Sequence, residues 1–194
     1  MARSITINPN LALLIIDMQK TFESMAKPLI PEINATIASA RKANIPVIFS
    51  QHGHENPDEE ESTSVLVKWW GASGSIKRGS ADWQLLPGLD VGKNDPVLSE
   101  KSTYDAFHNT RLKSLLDSWN VDTLIISGVL TNLCCETTAR SAFVQNYNVI
   151  FLSDGTATAS DAMHQGTLKT IGFGFGQVMT CADLREKLAK IKGK

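Results

Sequence analysis

The chain has 194 residues, 42% hydrophobic and 20% charged, a composition that excludes disordered and fibrous proteins and fits a soluble globular one. At this length roughly 70% of the extended surface is hidden on folding, so residues 1–194 are expected to form one domain. With 19 basic and 20 acidic side chains the net charge is −1, which leaves no basic footprint for a nucleic-acid backbone.

The opening stretch MARSITINPN has no apolar run behind Arg3 and does not read as a secretion signal. No segment approaches the roughly 18 apolar residues of a membrane span. Cys134, Cys135 and Cys181 make no disulfide framework, and free thiols point to a reducing compartment, hence to the cytoplasm.

Leu11 to Ile16 is an unalternating apolar run ending in Asp17, the pattern of a buried central strand in a parallel sheet. Pro31 to Asn44 reads as a helix with Ile33, Ile37 and Ala40 on one face, and Val47 to Ser50 as the second strand. From Gln51 to Val97 periodicity fades. This segment holds an acidic run between Glu55 and Glu61, the pair Trp69-Trp70, and turn signals at Pro87-Gly88 and Asp95-Pro96. It is expected to be either a functional covering packed by its tryptophans or poorly ordered chain.

Regularity returns with a short strand at Pro96 to Ser99, which delivers Lys101, and a helix at Thr110 to Ser118. A strand at Val121 to Ser127 precedes a helix at Asn132 to Val144, and a strand at Asn148 to Leu152 precedes a helix at Asp161 to Ile171. A strand at Gln177 to Met179 and a terminal helix at Ala182 to Ile191 complete the chain. The alternation predicts an α/β fold, a Rossmann-like three-layer α/β/α sandwich on a mostly parallel sheet of about six strands. Neither a GxGxxG turn nor a GxxxxGK[ST] loop follows any strand, so the nucleotide fingerprints are missing.

Ligands of an open parallel sheet bind beyond the carboxyl ends of its strands, and three reactive side chains fall there. Asp17 ends the first strand, Lys101 follows the third, and Cys134 opens the helix after the fourth. An acid closing an apolar run is costly unless it is paired or used, with an N-cap or turn role as the alternative. A free thiol is only about 3% ionised at pH 7, and the first turn of a helix beside a lysine lowers its pKa. Cys134 is therefore a candidate nucleophile, with Asp17 to take its proton and helix N–H groups to stabilise an oxyanion. Burial in the core is an equally natural role for a free cysteine. Cys135, about 100° further round a helix, cannot face the same substrate. Lys101 by itself reads as a surface lysine.

Three stretches resemble the isochorismatase-like hydrolases, the superfamily that includes nicotinamidases, N-carbamoylsarcosine amidase-like enzymes and ureidoacrylate amidohydrolases. ALLIIDMQKTF (12–22) is similar to the family's strand-Asp-Met-Gln signature, and EKSTYDAFHNTRL (100–112) to its catalytic-lysine segment. SGVLTNLCCETTARSAF (127–143) resembles its Gly-x-x-Thr-x-x-Cys nucleophile motif. The likeness covers about residues 10–182 and implies the isochorismatase-like hydrolase fold with a catalytic triad of Asp17, Lys101 and Cys134. The motif places the nucleophile three residues after Thr131, which selects Cys134 over Cys135. The resemblance also implies a non-proline cis peptide at Val129-Leu130 and an oxyanion hole made by the Leu130 and Cys134 N–H groups.

Phe22, His52, Trp69, Trp70, Tyr104 and Phe107 are expected to wall a pocket for a small planar or cyclic substrate, with Lys77 and Arg78 offering charge to a carboxylate. Nicotinamidases of the family hold a metal with an Asp-x-His pair after the second strand and a further histidine. Here His52 and His54 stand at the pair's positions, and no histidine follows before His108. Two imidazoles fall short of the three protein ligands of a zinc site with an open position, and Glu55, Asp58 or Glu59 would have to complete one. No metal and no cofactor is therefore expected, and the departure argues against a nicotinamidase.

Three roles stay open. One is amide hydrolysis through an acyl-enzyme on Cys134. Another is vinyl ether hydrolysis of isochorismate, with Asp17 as the acid and no need for a thiol. The third is a silent binding relative. The expected partners are a small-molecule substrate and further copies of the chain, as a dimer or tetramer, with neither nucleic acid nor membrane.

Overall fold

The computed structural model describes residues 10–190; the amino-terminal stretch read against a secretion signal and the expected end of the terminal helix at Ile191 lie outside the described residues. The chain runs β1 (Leu11–Ile16), α1 (Glu23–Ala26), α2 (Ile30–Lys42), β2 (Val47–Ser50), α3 (Pro57–Glu60), α4 (Val65–Trp70) and β3 (Val97–Leu98). It continues through α5 (Leu112–Ser118), β4 (Thr123–Val129), α6 (Glu136–Val144), β5 (Asn148–Ala157), α7 (Asp161–Gly174), β6 (Gln177–Met179) and α8 (Cys181–Ala189). The strands form one sheet in the order β3-β2-β1-β4-β5-β6, with every pairing parallel.

The lack of alternation in β1 has a simple cause. Leu11, Leu13 and Ile15 enter the core cluster that also holds Ile33 and Ile37 of α2 and Leu184 and Leu188 of α8. Ala12, Leu14 and Ile16 enter the opposite cluster, with Leu112 and Leu116 of α5, Ala139 of α6 and Ile171 of α7. Successive side chains of a strand point to opposite faces, and here helices cover both. Burying each leucine or isoleucine contributes roughly 1.5–3 kcal/mol. The α2 helix ends at Lys42 rather than Asn44, because Asn44 takes a left-handed φ of 58°, a conformation asparagine tolerates. The α8 helix starts where Thr180 and Asp183 form a capping box.

Because the strand order reverses between β1 and β4, their carboxyl ends flank the topological switch point, where open α/β sheets leave a crevice. The two strands approach very closely there. Gly128 has φ 113°, and a Cβ on it would lie 2.1 Å from the Ile16 carbonyl oxygen, so only glycine fits. A register shift between Ile126 and Gly128 lets β4 and β5 run on to Val129 and Ala157, past their expected ends at Ser127 and Leu152.

The helix expected from Asn132 opens instead as a π-helical turn, Thr131–Cys135, and becomes α-helical only at Glu136. The covering segment after β2 is ordered by α3, α4 and bridges at Gln19–Leu85 and His54–Lys77. Pro57, Val67, Ile76, Leu86 and Leu89 are buried apolar side chains of this segment. Trp69 and Trp70 are 78% and 52% exposed, which corrects the expectation that they pack the covering. No described helix is long and apolar enough to cross a membrane.

Candidate active site

Asp17, Lys101 and Cys134 meet at the switch point. Lys101 Nζ donates to Asp17 Oδ2 at 2.6 Å and to Cys134 Sγ at 3.4 Å, across sequence separations of 84 and 33 residues. Asp17 and Lys101 have no exposed surface and Cys134 retains 6%. Lys101, which its sequence context alone left as a surface residue, is among the largest fully buried side chains.

Each side chain is aimed by its own local structure. Asp17 leaves β1 with a left-handed φ of 49°, and its N–H is held by the Ser50 carbonyl at 3.2 Å. The Lys101 segment is tied down by Asp105, which accepts from Ser141 of α6 at 2.5 Å, and by Ala106, whose N–H donates to Thr138 at 3.0 Å. Around Cys134, the Leu130 carbonyl accepts from the N–H groups of Leu133 and Cys135, both at 3.1 Å. The Val129-Leu130 peptide is cis. Among the described residues no backbone or side-chain acceptor takes the Leu130 N–H. Cys135 is fully buried in the apolar cluster beneath α6.

The electrostatics favour an ion pair beside a neutral thiol. Burial works against the Asp17 carboxylate, but Lys101 and then His52 outweigh it and hold its pKa below the ordinary value. Burial likewise opposes the Lys101 ammonium, and Asp17 followed by the Cys134 sulfur raises its pKa nonetheless. Burial pushes the Cys134 thiol up to about 12, with Lys101 acting downward and Asp17 upward. This overturns the expectation of a lowered thiol pKa. Cys134 lies in a buried π-helical turn, and desolvation of the thiolate exceeds the help of the neighbouring cation.

Two polar residues that sequence reasoning missed complete the surroundings. Ser50 donates from Oγ to Asp17 Oδ1 at 2.7 Å. Gln19, fully buried, donates from Nε2 to the carbonyls of His52 at 3.0 Å and Trp83 at 2.8 Å, and accepts the His52 N–H on Oε1 at 2.8 Å. It fastens the covering segment to the turn after β1. The available clue was a polar residue adjoining each apolar strand, Ser50 closing β2 and Gln19 two places past Asp17.

The expected pocket residues divide. Burial lowers the His52 pKa to about 3, with the Lys101 charge acting in the same direction, so its ring is neutral near the Asp17 carboxylate. Trp69 and Tyr104 line a cavity of about 310 Å³ together with Val65, Leu66 and Thr103. Trp70 donates from Nε1 to the Tyr104 hydroxyl at 2.8 Å. Phe22 packs at the edge of the α2-side core. Phe107 is not brought to the site, since it stacks on Tyr147, just before β5 and so at the sheet's amino edge, with ring centres 5.8 Å apart. Lys77 pairs with His54 through the backbone bridge. Arg78 is occupied by Glu55 and by the Glu100 carbonyl, both at 2.6 Å.

The metal ligands implied for nicotinamidases do not assemble. His54 Nδ1 lies 2.7 Å from Glu60 Oε2, not from Glu55, Asp58 or Glu59. His54 Nε2 and His52 Nδ1 are buried without partners, a pair of imidazole nitrogens with no third donor. Among the described residues no group of three His, Cys, Asp or Glu side chains is placed to hold a metal ion.

Comparison with known proteins agrees with this architecture. The family model for the Isochorismatase domain matches residues 11–183. The chain belongs to the isochorismatase family. Among relatives, Nicotinamidase 3 of Arabidopsis thaliana is 40% identical over 178 residues, covering 91% of this chain and 88% of that protein. The ureidoacrylate amidohydrolase RutB of Serratia proteamaculans is 31% identical over 194 residues, covering 86% of this chain and 78% of that one. A crystal structure of a cysteine hydrolase from Pseudomonas syringae pv. phaseolicola superposes with a TM-score of 0.86 at 29% identity, covering 99% of this chain and 100% of that chain. An isochorismatase family protein from Burkholderia thailandensis superposes at 0.83 with 28% identity, covering 95% and 98%. As an isochorismatase-family chain with amidohydrolase relatives, the protein is a hydrolase enzyme.

Proposed function

We propose that this enzyme hydrolyses a small amide through a covalent acyl-enzyme on Cys134. The observation that carries the reading is the Cys134 sulfur lying 3.4 Å from Lys101 Nζ, which itself holds Asp17 at 2.6 Å, with the two charged groups fully buried and only the sulfur's residue partly open to solvent. As Sγ attacks the substrate carbonyl carbon, the Asp17 carboxylate takes the thiol proton. With a thiol pKa near 12, attack and proton transfer proceed together rather than from a resting thiolate. The Leu130 and Cys134 N–H groups receive the developing oxyanion. The Asp17 acid then protonates the leaving nitrogen as the C–N bond breaks. A water, deprotonated by Asp17, adds to the thioester carbonyl; as the C–S bond breaks the carboxylic acid leaves, and Asp17 returns the proton to the Cys134 sulfur. Lys101 stays protonated throughout and offsets the charge on Asp17.

Relatives named for nicotinamide and ureidoacrylate hydrolysis support the amide class. The histidine pair at 52 and 54 argued against nicotinamide, but 40% identity to a named nicotinamidase returns that amide to the substrates to be tested. A neutral planar amide suits the site better than an acid, because Arg78 is already committed to Glu55 and Glu100. Cytoplasmic location and assembly into a homo-oligomer belong to the same reading. It draws support from the three free thiols and from exposed apolar side chains such as Phe173 and Val144.

The test is product detection by mass spectrometry with nicotinamide, simple carbamoyl amides, ureidoacrylate and isochorismate, comparing the parent with Cys134→Ala. Loss of amide turnover in the variant, with an acyl adduct on the parent in intact-mass spectra, is the expected result. Turnover of isochorismate alone, unaffected by the substitution, would replace this reading with vinyl ether hydrolysis.

A further inference from the structure

The Asp17 carboxylate has two donors, one on each oxygen. Lys101 occupies Oδ2 at 2.6 Å and the Ser50 hydroxyl occupies Oδ1 at 2.7 Å. Ser50 is the last residue of β2, fully buried, and sits beside Asp17 because β1 and β2 pair in parallel with Ile15 opposite Phe49. Its oxygen also lies 3.3 Å from the Asp17 N–H. The N–H is shared between the Ser50 carbonyl at 3.2 Å and this hydroxyl oxygen, which accepts from it, so the single hydroxyl proton is left to point at Oδ1. A carboxylate gripped at both oxygens cannot turn about its Cβ–Cγ bond without breaking a buried hydrogen bond.

We propose that Ser50 is a positioning residue for hydrolysis, clamping Asp17 Oδ1 while Lys101 holds Oδ2, so that the carboxylate keeps one orientation toward the Cys134 thiol. The proposal rests on the acyl-enzyme reading given above. Ser50 acts on the reaction only through Asp17.

The consequence is a change in the pH dependence of turnover. A hydrogen bond donated to a carboxylate favours its ionised form, so losing the Ser50 hydroxyl favours protonated Asp17. The charged and titratable groups facing Asp17 are Lys101 from beyond β3, His52 from beyond β2, and Cys134 and Cys135 from the turn after β4. Lys101 and the two thiols titrate far above the acidic range. His52, with its pKa near 3, is removed as a contributor by repeating the profiles in a His52→Gln background.

The experiment measures kcat and KM against pH for amide hydrolysis by the parent, Ser50→Ala, Ser50→Thr and Cys134→Ala, with thermal melts confirming the fold. In Ser50→Ala the acidic limb of kcat/KM is expected to move up by about one pH unit, with kcat down about tenfold on the plateau and KM within about twofold. Ser50→Thr, which keeps the hydroxyl, restores the parent limb. Should Ser50→Ala fail to fold, Ser50→Cys keeps the bulk without the hydroxyl and is read the same way. A Ser50→Ala limb superimposed on the parent, or a Ser50→Thr limb displaced as far as the alanine variant's, overturns the proposal while leaving the acyl-enzyme reading intact. Amide turnover surviving in Cys134→Ala overturns both.

Discussion

Lys101 and Asp17 are joined at 2.6 Å with neither side chain exposed. Two buried charges hold only as a pair, because each cancels much of the desolvation cost of the other. Lys101→Met leaves the Asp17 carboxylate buried and uncompensated, and denaturant unfolding should show a loss of about 3–5 kcal/mol. Adding Asp17→Asn should recover part of that loss, even though amide turnover is abolished in Lys101→Met, in Asp17→Asn and in the double variant. Strict additivity of the two substitutions would show that the charges do not interact.

Burial sets the resting state of the Cys134 thiol. With its thiol pushed up to about 12, Cys134 in the free enzyme should react with iodoacetamide at least about 100-fold more slowly at pH 7 than a small unhindered thiol. Peptide mapping distinguishes it from Cys135 and Cys181. Rapid alkylation well below pH 8 would restore the helix-terminus argument and defeat the burial argument.

His52 makes the fold sensitive to acid. The unfolded chain binds a proton at this imidazole below about pH 6.5, whereas the folded chain resists until about 3. The unfolded state therefore holds more protons in that window. The stability contribution is present above pH 6.5 and is lost as pH falls, by about 1.4 kcal/mol per unit. His52→Gln should flatten the slope of unfolding free energy between pH 6.5 and the onset of general acid unfolding. An unchanged slope would mean that His52 is already protonated in the native protein.

Gln19 satisfies three backbone groups on two loops. Gln19→Ala leaves the His52 N–H and the carbonyls of His52 and Trp83 without this partner, and should cost about 2–5 kcal/mol. The loosened covering segment should also change Trp83 fluorescence before global unfolding. A single cooperative transition at the parent's midpoint would contradict this.

Trp70 and Tyr104 join the covering segment to the loop that carries Lys101 through one surface hydrogen bond. Trp70→Phe should therefore change stability by less than about 1 kcal/mol. Released from Trp70, the Tyr104 ring should hold substrate less well, and KM should rise about 3- to 10-fold with kcat little changed. An unaltered KM would leave Trp70 without a part in substrate binding.

The alternation of strands and helices was legible because burial leaves a period in the sequence. A run such as Leu11 to Ile16 has to be covered on both faces, and Ile33, Ile37 and Ala40 have to share one. Asp17 and Cys134 could be singled out for the same reason, as reactive groups at the ends of recognisable elements, while Lys101 became visible only through the motif around it.

What only the tertiary structure decided is which ends come together. Strand order places β1 between β2 and β4, and that order brings Ser50, Asp17 and Cys134 to one crevice while Phe107 goes to the opposite edge. No local pattern encodes such a neighbourhood, because the contacts lie dozens of residues apart along the chain. The ionisation of the thiol was likewise beyond the sequence: desolvation belongs to the assembled site, and there it outweighs the lysine that suggested a reactive thiolate.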